Sequence, residues 1–141
     1  METTITIKVR NYHVDQFKHV NHARYIEFME EARWSYLEDN NIIEQVKLIP
    51  HVVVSMTVNY HNSATPGDVL TIETGVLKAD DKRYTIRHLI LLSNTDVVVA
   101  DAEVTNVFID PETGKAIPID ERILGIWPDL RIAGKSGTGL S

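Results

Sequence analysis

Between Tyr12 and Tyr25 the chain reads YHVDQFKHVNHARY, which gathers one aspartate, three histidines, one asparagine and two tyrosines. No other stretch is as dense in groups able to move a proton or hold an anion. A strand-like segment precedes it and a helix-like segment follows, so the cluster sits at a helix start. The first amides of a helix have no intrahelical acceptor and carry partial positive charge. They can therefore hold a developing oxyanion. A carboxylate just before them, Asp15, is placed to attack a carbonyl held there or to activate water toward it. The chemistry these residue types suggest is acyl transfer. His19 is a candidate to support Asp15, or to act as the base itself. Asn21 is a helix cap that can also reach the reacting group. His13, His19 and His22 with Asp15 are also of the types that bind zinc, but their spacing matches no standard metal motif. The plain alternative is that Asp15 is only a turn residue.

Simple patterns give the elements that must position these groups. Ile5, Ile7 and Val9 alternate with Thr4, Thr6 and Lys8, as in a half-buried strand. Residues Asn11 to Val20 break that alternation and read as a loop. Asn21 is a good N-cap for a helix from about His22 to Glu38. Tyr25, Phe28, Met29, Ala32 and Tyr36 form its apolar stripe. The stripe reads as core, with the Tyr25 turn able to line a pocket. Asp39-Asn40-Asn41 stops the helix. Beyond Pro50, four β-rich segments follow: His51–Tyr60, Asp68–Lys78, Tyr84–Leu92 and Val97–Ile109. Their short connections predict an antiparallel meander, with the one long helix covering a face of it. Asp120 is positioned to cap a short last helix through Trp127.

The 141 residues suit a single domain, expected over 1–128, with 129–141 as a small polar tail. A net charge of −6 argues against nucleic acid as a partner, because phosphate binding needs a basic footprint. Cysteine is absent, which removes disulfides and thiolate chemistry and fits a cytoplasmic protein. No apolar run is long enough to span a membrane, and the opening residues carry no secretory pattern. Lys78, Lys82, Arg83 and Arg87 cluster around one turn. They read either as a solvated charged hairpin or as a landing site for an anionic nucleotide.

The stretch VRNYHVDQFKHVNHARYIEFMEEAR resembles the N-terminal signature of the 4-hydroxybenzoyl-CoA thioesterase-like branch of the hotdog superfamily. NYHNSATPGDVLTI and VFIDPETGKAIPI resemble later turns and strands of the same family, so the likeness runs over roughly residues 5 to 125. The resemblance implies an α+β hotdog fold, an antiparallel five-stranded sheet wrapped around one long helix. It implies hydrolysis of an acyl-CoA thioester with no cofactor. Asp15 takes the place of the catalytic carboxylate and His22 that of the residue whose amide polarises the carbonyl. His19 and Asn21 stand beside them. Phe17, Tyr25, Lys82 and Arg83 are the expected substrate contacts. The family pairs its subunits, so a homodimer or homotetramer is expected. The other substrate to weigh is an acyl-carrier-protein thioester, and the other class a non-catalytic acyl-CoA binding module. A dehydratase is disfavoured, because Asp15-Gln16-Phe17-Lys18-His19 lacks that activity's Asn-Pro step. Two departures stand out. Gln16-Phe17-Lys18 occupies a loop where many members carry glycine or another small residue, so Phe17 reshapes the pocket. Arg83 stands where the fourth strand often opens on serine.

Overall fold

The computed structural model describes residues 2–131. Strand β1 (Thr3–Lys8) leads through a single 3-10 turn (Asn11–His13) and a tight loop into helix α1 (His22–Asp39). A one-turn helix α2 (Ile43–Lys47) precedes the strands β2 (His51–Tyr60), β3 (Val69–Ala79), β4 (Arg83–Leu92) and β5 (Val98–Ile109). A two-residue strand β6 (Ala116–Ile117) and helix α3 (Glu121–Ile126) follow. Asn21 caps α1 by accepting from the Ala23 amide at 2.9 Å, and Asp120 caps α3 by accepting from the Ile123 amide at 3.0 Å. At the other end of α1 the Asn40 side chain donates to the Tyr36 carbonyl, and Asn41 turns the chain at φ 59°.

The antiparallel sheet runs β1-β3-β4-β5-β2, with β6 paired to β5. This corrects the expected four-strand meander. Only β3, β4 and β5 follow one another across hairpins. β2 pairs with β5 from Tyr60↔Ala100 to His51↔Phe108, and β1 takes the free edge of β3 from Lys8↔Val69 to Thr3↔Thr74. The link from β2 to β3 crosses under the start of α1, which a short hairpin could not do. Its buried Ala64 accepts from the Val20 amide at 2.9 Å, and the Val9 amide donates to the Asp68 carbonyl at 2.8 Å. Gly67, at φ 95°, makes the turn that returns a hydrogen bond to the Val9 carbonyl.

The α1 stripe is buried as its period predicts, Tyr25, Phe28, Met29, Ala32 and Tyr36 all having 6% exposure or less. It divides the core into two clusters. The first turns of α1 pack with Leu70, Ile72, Ile90 and Val99. The last turns pack with Tyr84, Ile86, Phe108, Ile123 and Trp127. The helix is 18 residues long, so about 27 Å separates its ends. At the C-terminal end the chain stays packed past the expected boundary. Leu130 is buried at 1%, and the Tyr36 hydroxyl donates to Asp129 at 2.5 Å. The remainder of the expected tail, 132–141, lies outside the described residues. No described helix is long and apolar enough to cross a membrane.

Candidate active site

The segment read as a loop is a miniature hairpin. Val14 and Val20 form an isolated antiparallel bridge. Inside it the Asp15 amide donates to the His19 carbonyl at 3.1 Å, and the Lys18 amide donates to the Asp15 carbonyl at 2.9 Å. Lys18 closes the turn at φ 65°, a left-handed conformation that costs a side-chain-bearing residue about 1 kcal/mol or more. This gives the physical reason for a small residue in related loops. The hairpin matters because it folds Asp15 back beside His19, three positions short of the helix start. The Asn21 amide donates to the His13 carbonyl at 3.0 Å, and His13 is itself buried against the Phe28 ring at 5.0 Å. Burial, more than the nearby Arg24 charge, holds His13 below the ordinary histidine range. It is a neutral anchor, its Nδ1 accepting from the Arg10 amide at 2.9 Å.

The Asp15 side chain is exposed. Its Oδ1 accepts from the Phe17 amide at 2.9 Å, and Oδ2 accepts from no described residue. The first helical amide, that of His22, donates to no described acceptor, while the next is taken by the Asn21 cap. The His22 carbonyl accepts from the Tyr60 hydroxyl at 3.2 Å, which ties the helix start to the end of β2. Val20, His22, Tyr25, Tyr60 and His61 line an open depression of about 400 Å³ beside it. Tyr25 is buried in the core yet reaches that depression, with its ring 5.7 Å from that of Tyr60.

The expected site residues fall into two groups. Asp15, Phe17, His19, Asn21, His22 and Tyr25 all lie in the hairpin or the first turn of α1. The His19 imidazole is exposed and makes no hydrogen bond with a described residue, and Phe17 is 71% exposed. Lys82 and Arg83 are elsewhere. They sit in the β3–β4 turn, where both amides donate to Asp80 Oδ1. Arg83 pairs across the sheet with Val107, beside the cluster that packs the far end of α1. Within one chain they lie toward the opposite end of α1 from Asp15. Among the described residues no three His, Asp or Glu side chains converge as a metal site would require.

Sequence reasoning missed Tyr60, His61 and Asp101. His61 Nε2 lies 2.6 Å from Asp101 Oδ2, and Asn59 donates to the other carboxylate oxygen at 3.0 Å. These contacts, that of Asn59 foremost, hold the Asp101 carboxyl below its ordinary range. The signal was present only as spacing, since His61 lies one residue past the end of β2, two from Asn59, which pairs with Asp101.

A sheet curled over one long helix, with a carboxylate hairpin and an open amide at the helix start, defines a hotdog protein built for acyl chemistry. The chain belongs to the thioesterase-like superfamily, whose family model matches residues 9–126. It is 41% identical over 116 residues to the long-chain acyl-CoA thioesterase FadM of Escherichia coli, covering 81% of this chain and 88% of that protein. It is 32% identical over 90 residues to the acyl-CoA thioesterase YbgC of Haemophilus influenzae, covering 57% and 66%. Among solved structures, the probable thioesterase YbaW of Escherichia coli superposes with a TM-score of 0.83 at 37% identity, covering 90% of this chain and 97% of that one.

Proposed function

We propose that this chain hydrolyses acyl-CoA thioesters at the start of α1, with Asp15 as the catalytic carboxylate and the amide of His22 as oxyanion donor. The observation that carries the reading is the His22 N–H. It opens a helix, lacks an acceptor among the described residues, and follows a hairpin that sets Asp15 beside His19, three positions before it. The thioester carbonyl oxygen accepts from that amide, and the helix dipole favours the charge it gains. Asp15 Oδ2 then attacks the carbonyl carbon, or takes a proton from a water that does. The carbon–sulfur bond breaks and coenzyme A leaves as the thiolate. In the first route water cleaves the resulting acyl–aspartate anhydride; in the second the acid forms directly. No cofactor enters either route.

The same reading includes a homodimer. β2 is a sheet edge with Val52, Val53 and Val54 each more than 40% exposed, and such edges pair or aggregate when left open. Pairing two β2 strands about a two-fold axis reverses the partner. That reversal carries the partner's Lys82 and the partner's Arg83 toward the end of the molecule that holds Asp15, where a nucleotide phosphate would meet them. Light scattering at a multiple of 16.0 kDa is the expected result, and a stable monomer removes the shared site. Cytoplasmic residence belongs to the same reading and is supported by the absence of cysteine.

Asp15→Asn tests the chemistry. It keeps the side chain's size and its capping oxygen while removing the charge. Turnover in a thiol-release assay on acyl-CoA should fall by about a hundredfold or more, with acyl-CoA binding retained. Near-parent turnover would transfer the role to His19. A parent that binds acyl-CoA but releases no thiol across short, long and aromatic acyl groups would make the chain a binding module.

A further inference from the structure

The second half of α1 covers a cavity of about 270 Å³ that the proposed mechanism does not use. Its polar wall is unusual. Arg33 reaches in from α1, half-buried, with no carboxylate within salt-bridge distance among the described residues. Its one side-chain hydrogen bond among the described residues, from Nη1 at 3.1 Å, goes to Nε2 of His88. A guanidinium only donates, so Nε2 accepts and the His88 proton sits on Nδ1, which donates to Thr74 Oγ1 at 2.9 Å. His88 is fully buried, and burial with the neighbouring Arg33 charge holds it down to about 3. It is therefore a neutral prop that fixes the guanidinium without compensating its charge. Across the cavity stands Tyr84, 3% exposed, whose hydroxyl makes no hydrogen bond with a described residue. Burial pushes its ionisation up, so it remains a neutral donor. Burial also works against the charge on Arg33. Buried charges and hydroxyls are ordinarily satisfied. Here a cation and a donor line the same cavity.

The geometry points to a binding site for a carboxylate on a small apolar or aromatic body, its oxygens taken by Arg33 and Tyr84. The other walls suit the body, since Trp34, Leu37, Ile86 and Trp127 line the same space. Glu30 stands at the rim, exposed, and its charge supports that on Arg33, so it competes with the bound carboxylate and disfavours any second negative charge on the ligand. Such a carboxylate has two sources: the free acid that hydrolysis releases, or the far end of an acyl group that carries its own carboxylate. Binding of the acid does not depend on the proposed function, whereas the acyl source does.

The chain's two tryptophans, Trp34 and Trp127, both line the cavity, so intrinsic fluorescence reports its occupancy directly. Titration of the full-length protein with benzoate should give a saturable change, and benzamide should give none. Tyr84→Phe, which removes one hydroxyl from an otherwise unchanged wall, should weaken benzoate by about tenfold or more. Arg33→Met should abolish the response, with circular dichroism checking the fold. A parent that does not respond to benzoate, or binding that neither substitution weakens, overturns the site. Two hydrolysis arms then separate the sources. A coenzyme A monothioester of a dicarboxylic acid, preferred over its monocarboxylic equal in length by the parent and not by Tyr84→Phe, assigns the site to the substrate's far end. Unchanged preference, with benzoate inhibiting the parent more than Tyr84→Phe, assigns it to the free acid. Loss of thioester hydrolysis with benzoate binding intact would sink the proposed function and leave the site standing.

Discussion

The two ends of α1 handle polar groups in opposite ways. At the N-terminal end, Asp15, Phe17, His19 and His22 are exposed, and the hairpin that carries them closes on a left-handed Lys18. At the C-terminal end, His88, Tyr36 and Tyr84 are buried in the sheet-helix interface, two of the three in hydrogen bonds. The depression at the first end is open, and on the proposed function the basic turn of a second copy would complete it. The second end holds its polar groups between sheet and helix, in a cavity that opens past Glu30, Trp34 and Val53. On the proposed function, the contrast teaches that chemistry on a large substrate is left at an open edge where another surface can reach it. Recognition of a small group can be built inside one core.

The comparison breaks most sharply at His22. Asn21 sits at φ −63° and ψ 138°, the conformation a residue before proline prefers, and the first helical position tolerates proline. His22→Pro therefore removes the amide hydrogen while keeping the helix. Turnover should fall on the order of a hundredfold to a thousandfold, about 3–4 kcal/mol, as for other lost oxyanion donors. His22→Ala, which keeps the amide, should stay within a few-fold of the parent. Equal losses in the two variants would mean that the imidazole, not the backbone, does the work.

His88 tests the buried end through acid stability. Its folded affinity for a proton lies far below its unfolded one, with pKa about 3 against 6.5. The unfolded chain binds the extra proton, so stability is complete above pH 6.5 and is lost as the pH falls toward 3, by on the order of a few kcal/mol. His88→Gln removes that titration. Denaturant melts between pH 7 and pH 4 should show a shallower decline for the variant, and parallel declines would place the acid sensitivity elsewhere.

Smaller effects return to the hairpin. Asn21→Ala removes the cap on the Ala23 amide and should cost about 1 kcal/mol of stability by urea denaturation. Lys18→Gly relieves the left-handed residue but loosens the unfolded chain, so a net gain of up to about 1 kcal/mol is expected. A loss instead would show that the Lys18 side chain holds the hairpin. Smallest of all, Lys82→Ala should raise the Michaelis constant a few-fold for coenzyme A esters, and less at high salt, because exposed charges are screened. No change at low salt would leave that turn as solvated surface.

Much of this was legible in the chain because it depends on neighbours in sequence. The period of Tyr25, Phe28, Met29, Ala32 and Tyr36 fixes which face of α1 is buried, and Asn21 fixes where the helix begins, whatever lies opposite. Asp15 and the Asn21-His22 step were readable for the same reason, all within one short segment. The strand order was not readable. The β-branched run in HVVVSMTVNY says that a strand forms but carries no information about its partner; the Asn62–Asp68 crossing, which packs Ala64 beneath the hairpin, leaves β2 paired with β5. The Tyr60–His22 contact, the His61–Asp101 pair and the Arg33–His88–Thr74 chain join residues up to 55 positions apart. Such pairings depend on which strands lie side by side and at what register, and only the packed sheet and helix set those.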